Sequence, residues 1–588
     1  MRIPLLGRLP ALEWPVLIFS LVLVAIEYIL SIITSLLPTF IISFFDSLTS
    51  AIFLIFPVSG TSSLIQDPTL DDLVSKIANA DGFVEICRLF GYDAEEHIVK
   101  TTDGYLLGIH RIRGRHNPRA KSPDGSNSSS PSTKPVVYLH HGLLMNSEVW
   151  ICNIDPKRTL PFVLADMGYD VWLGNNRGNK YSKKHVMHNP NSVAFWNFSI
   201  DDFALYDIPD TINYILYIVQ QRDLVYIGFS QGSAQAFATL SINPELNKKV
   251  RLFIALAPAM APPGLQNSVV DSLMRASPSL IYLFFGRKAI LKSATFWQSI
   301  MYPPFFVTTI DTAISSLFQW HCKNISYPQK LAAYPHLYSY TSVKSVVHWF
   351  QIIRSGRFHM YDDDVESPFF KGKYFYRVAS FPTQNIKTPI LLLYGKADSL
   401  VDIGVMTSEL PEDSTTAVGF EGYEHLDMIW GDKVDKEIFP YIYSALRQVH
   451  HVPNDTAVLA LPWIESSSSE SKKEVVLRLC LTPNPENSSI SSTPIGGSRA
   501  STTMNEDYQL SSAKKDSLSG LTIGPLSERK NSKASTLSTS STDSGKSTAS
   551  YNQLAAKLSS SFSSTGINFG SSQPVVEVIR SDRHSTEK

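Results

Sequence analysis

Four short stretches restrict the fold of this chain more than anything else in it: "PVVYLHHG" at 135–142, "DVWLGNNRG" at 170–178, "LVYIGFSQGSAQAFATL" at 224–240 and "PILLLYGKAD" at 389–398. Each contains a short apolar run with no polar residue at alternate positions, and each run ends at Gly or His. A strand buried on only one face would alternate. Continuous apolar strands separated by helical stretches are those of a mostly parallel sheet with helices on both faces. The sequence therefore predicts one α/β domain over residues 79–450. The segment "SPDGSNSSSPSTKP" at 122–135 interrupts it and reads as a surface loop.

Both flanks differ from this pattern. Residues 14–56, "WPVLIFSLVLVAIEYILSIITSLLPTFIISFFDSLTSAIFLIF", form an apolar run about twice the roughly 20 residues one spanning helix needs. It is too long for a secretory leader and lacks a small-residue cleavage site, so residues 1–60 are expected to remain as a membrane anchor. Two geometries fit. In a single tilted span, Arg2 and Arg8 hold the N-terminus in the cytosol. In a hairpin, the chain turns at Pro38 and leaves both flanks on one side, the only arrangement suited to a lipid droplet, which has a single phospholipid layer. Residues 462–588 are rich in Ser and Thr, as in "STLSTSSTDSGKSTAS", and cannot bury enough apolar surface to offset chain entropy. That tail reads as a solvated segment and a platform for phosphorylation by kinases.

Composition narrows the function classes. Across 588 residues, 52 Lys and Arg against 53 Asp and Glu leave a net charge of -1, which offers no basic field for nucleic acid. The 4 cysteines, Cys87, Cys152, Cys322 and Cys480, are far apart and contain no CxxC, so neither a structural metal nor a disulfide framework is expected.

Ser230 is the centre of "GFSQG", at the point where an apolar strand from Leu224 to Ile227 gives way to a helix starting near Gln231. Gly228 and Gly232 permit a sharp strand-to-helix elbow that lifts the serine hydroxyl off the sheet edge. A free hydroxyl is a weak nucleophile and needs a histidine base oriented by an acid. In this architecture the order along the chain is Ser, acid, His. Asp398 follows the strand in "PILLLYGKADSLVD", and His425 lies in "GYEHLDMIWG", in a short loop before the last helix. Asp402 and Asp427 compete as the acid, and Asp398 is preferred because it lies closest to the strand end. The oxyanion donors are expected at the backbone N–H of Leu143 or Leu144, in "YLHHGLLMNSEVW", and at that of Gln231. His140 and His141 beside that loop read as structural, because adjacent residues of a strand face opposite ways and cannot share a metal.

The stretches "HHGLLMNSEVWI", "LADMGYDVWLGNNRGNKYSKKH", "FWNFSIDDFALYDIPDTINYIL", "GFSQGSAQAF", "LAPAMAPP", "VVHWFQIIRSGRFHMYD", "GKADSLVD" and "GYEHLDMIWG" together resemble the acid lipase family of gastric and lysosomal lipases. With its apolar N-terminus and Ser-rich tail, the chain looks most like the fungal membrane-anchored steryl ester hydrolases of that family. The resemblance covers about residues 80–450. It implies an α/β-hydrolase fold, ester hydrolysis without a cofactor, a nucleophile at Ser230, an acid at Asp398 and a base at His425. It also implies an apolar lipid ester as substrate, at a membrane or lipid-droplet surface, including that of the endoplasmic reticulum. Triacylglycerol is the nearest alternative substrate, and a catalytically silent lipid-binding or tethering protein the alternative of another class.

The chain departs from the family at two places. Phe229 precedes the nucleophile where the animal enzymes usually carry His. Cys322 has no near-sequence partner where secreted members have a cap disulfide, which fits a reducing compartment. Five glycosylation sequons, at Asn127, Asn197, Asn324, Asn454 and Asn487, point the other way. The insertion at about 262–388, rich in aromatic residues, is expected to cap the catalytic edge with a mobile lid.

Overall fold

The computed structural model describes residues 67–116, 134–264, 281–282, 285–290, 298, 301, 303–363 and 378–450. The anchor segment, the serine-rich loop up to residue 133, parts of the cap and the tail lie outside those residues, and so does Cys480. Among the described residues no helix is long and apolar enough to cross a membrane.

Among the described residues nine strands form one sheet: β1 Tyr92–Lys100, β2 Tyr105–Arg115, β3 Val136–His140, β4 Asp170–Leu173, β5 Lys184–His185, β6 Leu224–Phe229, β7 Val250–Leu256, β8 Ile390–Gly395 and β9 Thr415–Phe420. Their spatial order is β1-β2-β4-β3-β6-β7-β8-β9, with the short β5 beside β2. The contacts among β1, β2, β4 and β5 are antiparallel, and every contact from β4 to β9 is parallel.

The register explains why the middle of each central strand is apolar at successive positions. Leu139 pairs with Ile227, Ile227 with Ile254, and Ile254 with Leu391, so apolar side chains line up across four strands. Successive residues point to opposite faces. Val137, Leu139, Val225, Ile227, Ile254 and Leu391 enter one buried cluster, while Val136, Tyr138, Leu224, Tyr226, Phe253 and Leu392 enter another. The second face is covered by α1, Ile208–Val219, whose Ile208, Ile212, Ile215 and Val219 recur at helical spacing, and by α2, Gln231–Ile242, buried from Gln231 to Ser241. Beyond these lie α3 Pro303–Phe318 and α4 Val343–Ser355 of the cap, and α5 Phe439–His450, whose Ile442 and Leu446 pack on the first face.

A buried ionic knot closes the antiparallel end. Arg177, 1% exposed, donates from Nε to Asp207 Oδ1 at 2.8 Å and from its two terminal nitrogens to Asp103 at 2.6 and 3.0 Å. Its guanidinium lies 4.0 Å above the Tyr105 ring. One side chain thus joins the β1–β2 turn, the loop after β4 and the start of α1. Burial pushes the Asp207 carboxyl pKa up, and the Arg177 guanidinium beside it pulls in the opposite direction.

Cys87, Cys152 and Cys322 are free and buried. Two sequons fall among the described residues. Asn197 is exposed, whereas the Asn324 amide nitrogen that a glycan would occupy donates to Gly422 O and Asp427 Oδ2.

Candidate active site

Ser230 is the hinge between β6 and α2. Its φ of 52° and ψ of -119° are costly for a residue with a side chain, and such strain persists only where the surroundings enforce it. Ser230 N donates to Leu256 O of β7 at 3.0 Å, and Ser233 returns to Ser230 O through its N–H at 2.8 Å and its hydroxyl at 2.5 Å. Both flanking glycines are required by contact. A Cβ on Gly228 would lie 2.7 Å from the backbone of Gly232, and one on Gly232 would lie 2.5 Å from His140 O and 2.8 Å from His141 O. Gly232→Ala is therefore expected to destabilise the domain by about 2–3 kcal/mol through overpacking, read as a lower urea midpoint, and to displace the elbow.

Asp398 and His425 reach the same edge from the carboxyl ends of β8 and β9, where loops of a parallel sheet gather. The structure brings these two together: His425 Nδ1 lies 2.6 Å from Asp398 Oδ2, and both side chains are buried. Asp398 Oδ1 also accepts the Leu400 N–H at 3.0 Å, which fixes the carboxylate plane. Asp402 instead caps the helix Ile403–Glu409, accepting from Val405 N at 3.1 Å. Asp427 accepts from Glu424 N at 2.8 Å and from Asn324 Nδ2 at 2.9 Å, and burial raises its pKa to about 6. Neither bonds His425.

The His425 ring packs against Phe229, the neighbour of Ser230, with centroids 5.1 Å apart. Ser230 and His425, 8% and 4% exposed, do not hydrogen-bond each other in this structure. Such contacts are often long in a free enzyme and tighten around substrate. Between the loop carrying His425 and the last helix, α5, stand two further short helices, Asp427–Trp430 and Val434–Glu437.

The loop after β3 passes over the elbow: a Cβ on Gly142 would lie 3.2 Å from Ser230 Cβ. Among the described residues, the backbone N–H groups of Leu143 and Gln231 donate to no protein acceptor. Leu144 takes a left-handed φ of 59°, and its carbonyl accepts the Ser339 N–H of the cap at 2.6 Å. His141 braces the same loop. Its Nε2 accepts the Asn176 N–H at 3.1 Å, which leaves the ring proton on Nδ1 to donate to Gly142 O at 2.8 Å. Burial lowers the His141 pKa to about 4, so the ring stays neutral. His140 is also buried, and among the described residues no cluster of three or more His, Cys, Asp or Glu could hold a metal.

Two cap residues that no local sequence pattern marks reach this centre. Trp349 of α4 donates its indole N–H to Gln231 Oε1 at 2.8 Å, and Trp320 stacks on His425.

The family description "alpha/beta hydrolase fold" matches residues 135–432, and "Partial alpha/beta-hydrolase lipase region" matches residues 83–154. A Schizosaccharomyces pombe protein named "Probable lipase" is 54% identical over 377 residues, covering 64% of this chain and 79% of its own. The human gastric triacylglycerol lipase is 34% identical over 380 residues, covering 62% of this chain and 90% of its own. The chain belongs to the acid lipase family. As an acid lipase with the α/β-hydrolase fold it is a carboxylic-ester hydrolase. A second "Probable lipase" of Schizosaccharomyces pombe aligns with this acid lipase over 444 residues at 42% identity, covering 75% of this chain and 92% of its own.

Proposed function

We propose that this acid lipase hydrolyses steryl esters to sterol and fatty acid, with Ser230 as nucleophile, His425 as base and Asp398 as the orienting acid. The observation that carries the catalytic part is the 2.6 Å Asp398–His425 contact beside the strained Ser230 elbow. His425 Nε2 takes the Ser230 proton as Oγ adds to the ester carbonyl, and the Leu143 and Gln231 N–H groups receive the developing oxyanion. The tetrahedral adduct collapses, the sterol oxygen leaves with the proton from His425, and the acyl group remains on Ser230. Water, deprotonated by His425, then frees the fatty acid and restores Ser230.

The choice of a steryl ester rests on the resemblance of the flanks, the apolar residues 14–56 and the Ser-rich tail, to membrane-anchored steryl ester hydrolases. An anchor at residues 1–60 raises the local concentration of a lipid ester in a membrane or droplet without any added contact in the active site. Triacylglycerol is the second reading, favoured by the relatives named gastric triacylglycerol lipase. The two are separated by fatty-acid release from cholesteryl oleate and from trioleoylglycerol, each in mixed emulsion, by wild type and Ser230→Ala. Faster release from cholesteryl oleate is expected. Faster release from trioleoylglycerol would transfer the assignment to the second reading.

A further inference from the structure

One cap segment, residues 318–324, is tied to both loops that carry Asp398 and His425. Ser399 Oγ, next to Asp398, donates to Phe318 O at 2.8 Å. Glu424, next to His425, uses Oε2 to accept the backbone N–H groups of His321 at 2.8 Å and Cys322 at 2.6 Å. Asn324 donates to Gly422 O at 2.8 Å and to Asp427 Oδ2 at 2.9 Å, and its carbonyl accepts the Asp432 N–H at 2.8 Å. These bonds hold Gln319 and Cys322 at φ of 60° and 47°, a region that residues with side chains seldom enter.

Between those two strained residues stands Trp320, 4% exposed. Its indole lies on the His425 imidazole with centroids 4.9 Å apart and the rings within 6° of parallel, and Phe318 stacks on Trp320 at 4.3 Å. The two rings meet face to face rather than edge to face. A flat indole against the imidazole resists rocking of the ring out of the plane of its Asp398 bond. Its π face also favours the imidazolium that forms when the base takes a proton.

We propose that Trp320 is a positioning residue for His425, through which the cap holds the imidazole with Nδ1 on Asp398 and Nε2 free to face Ser230. This rests on the assignment of His425 as the base. It makes the cap part of the catalytic apparatus as well as a cover for lipid.

The test uses a short soluble ester, 4-nitrophenyl acetate, which makes no demand on an acyl-chain site, and the full chain as wild type, Trp320→Ala, Trp320→Phe and Ser230→Ala. Trp320→Ala is expected to lower kcat by about 10- to 100-fold with KM within about twofold, as for other losses of orientation away from the reacting atoms. Trp320→Phe, which keeps an aromatic face, is expected to recover most of the rate. If Ser230→Ala is inactive while Trp320→Ala turns over like wild type, or differs from it only in KM, the proposal is overturned alone. Failure of a well-folded Trp320→Phe to exceed Trp320→Ala also overturns it. If Ser230→Ala matches wild type, the underlying assignment fails and takes the proposal with it.

Discussion

Ser230→Ala is expected to lower kcat for ester hydrolysis by about 10⁶-fold while leaving the far-ultraviolet circular dichroism unchanged. The expectation follows from the elbow. Alanine fits the volume and meets the same backbone at φ of 52°, so only the nucleophile is lost. Asp398→Asn tests the same chain of groups further back and is expected to cost about 10⁴-fold, because an amide facing Nδ1 favours the tautomer whose Nε2 carries the proton. The double variant should be no worse than Ser230→Ala, since the residues act as one unit. Single-turnover kinetics on a chromogenic ester measure all three, and additive losses would show that the groups act separately.

Arg177→Met is expected to destabilise the fold by about 3–5 kcal/mol, because it leaves Asp207 and Asp103 without their counter-charge at a buried site. The contrast is Arg115→Met. Arg115 pairs with Asp166 at 2.7 Å, but its side chain is 65% exposed, and loss of such a surface pair is expected to cost no more than about 1 kcal/mol. Urea unfolding of the two variants beside wild type measures both. Equal effects would mean that Arg177 is replaceable by packing against Tyr105.

How much of this molecule is legible in its sequence depends on how local the determining contacts are. β3, β4, β6 and β8 are readable because burial on both faces leaves continuous apolar runs. β7, "VRLFIAL", carries much the same signal but no motif that draws attention to it. β1 and β2 mix buried and exposed positions and charged residues, as in "YDAEEHIVK", so their membership in the sheet depends on pairing with each other and with β4 rather than on their own pattern.

The site divides the same way. Gly228, Ser230 and Gly232 form a local motif whose geometry follows from steric contact. Asp398 and His425 are recoverable from their order and their positions after strands. Trp320 and Trp349 are not, because no local pattern marks a tryptophan of the cap as the one that will face a histidine or glutamine from a distant part of the chain. Asp402 and Asp427 could be set aside only after their hydrogen bonds to Val405, Glu424 and Asn324 were visible.

Covalent labelling with a fluorophosphonate, followed by peptide mass spectrometry, tests the role of Ser230 most directly. Displacement of fluoride by an activated serine leaves a stable phosphonyl adduct on the attacking oxygen. The expected result is one adduct on the peptide containing Ser230, absent in Ser230→Ala and formed far more slowly in His425→Ala. An adduct on another serine, or none from an enzyme that still releases fatty acid, would contradict the assignment of Ser230 as the nucleophile.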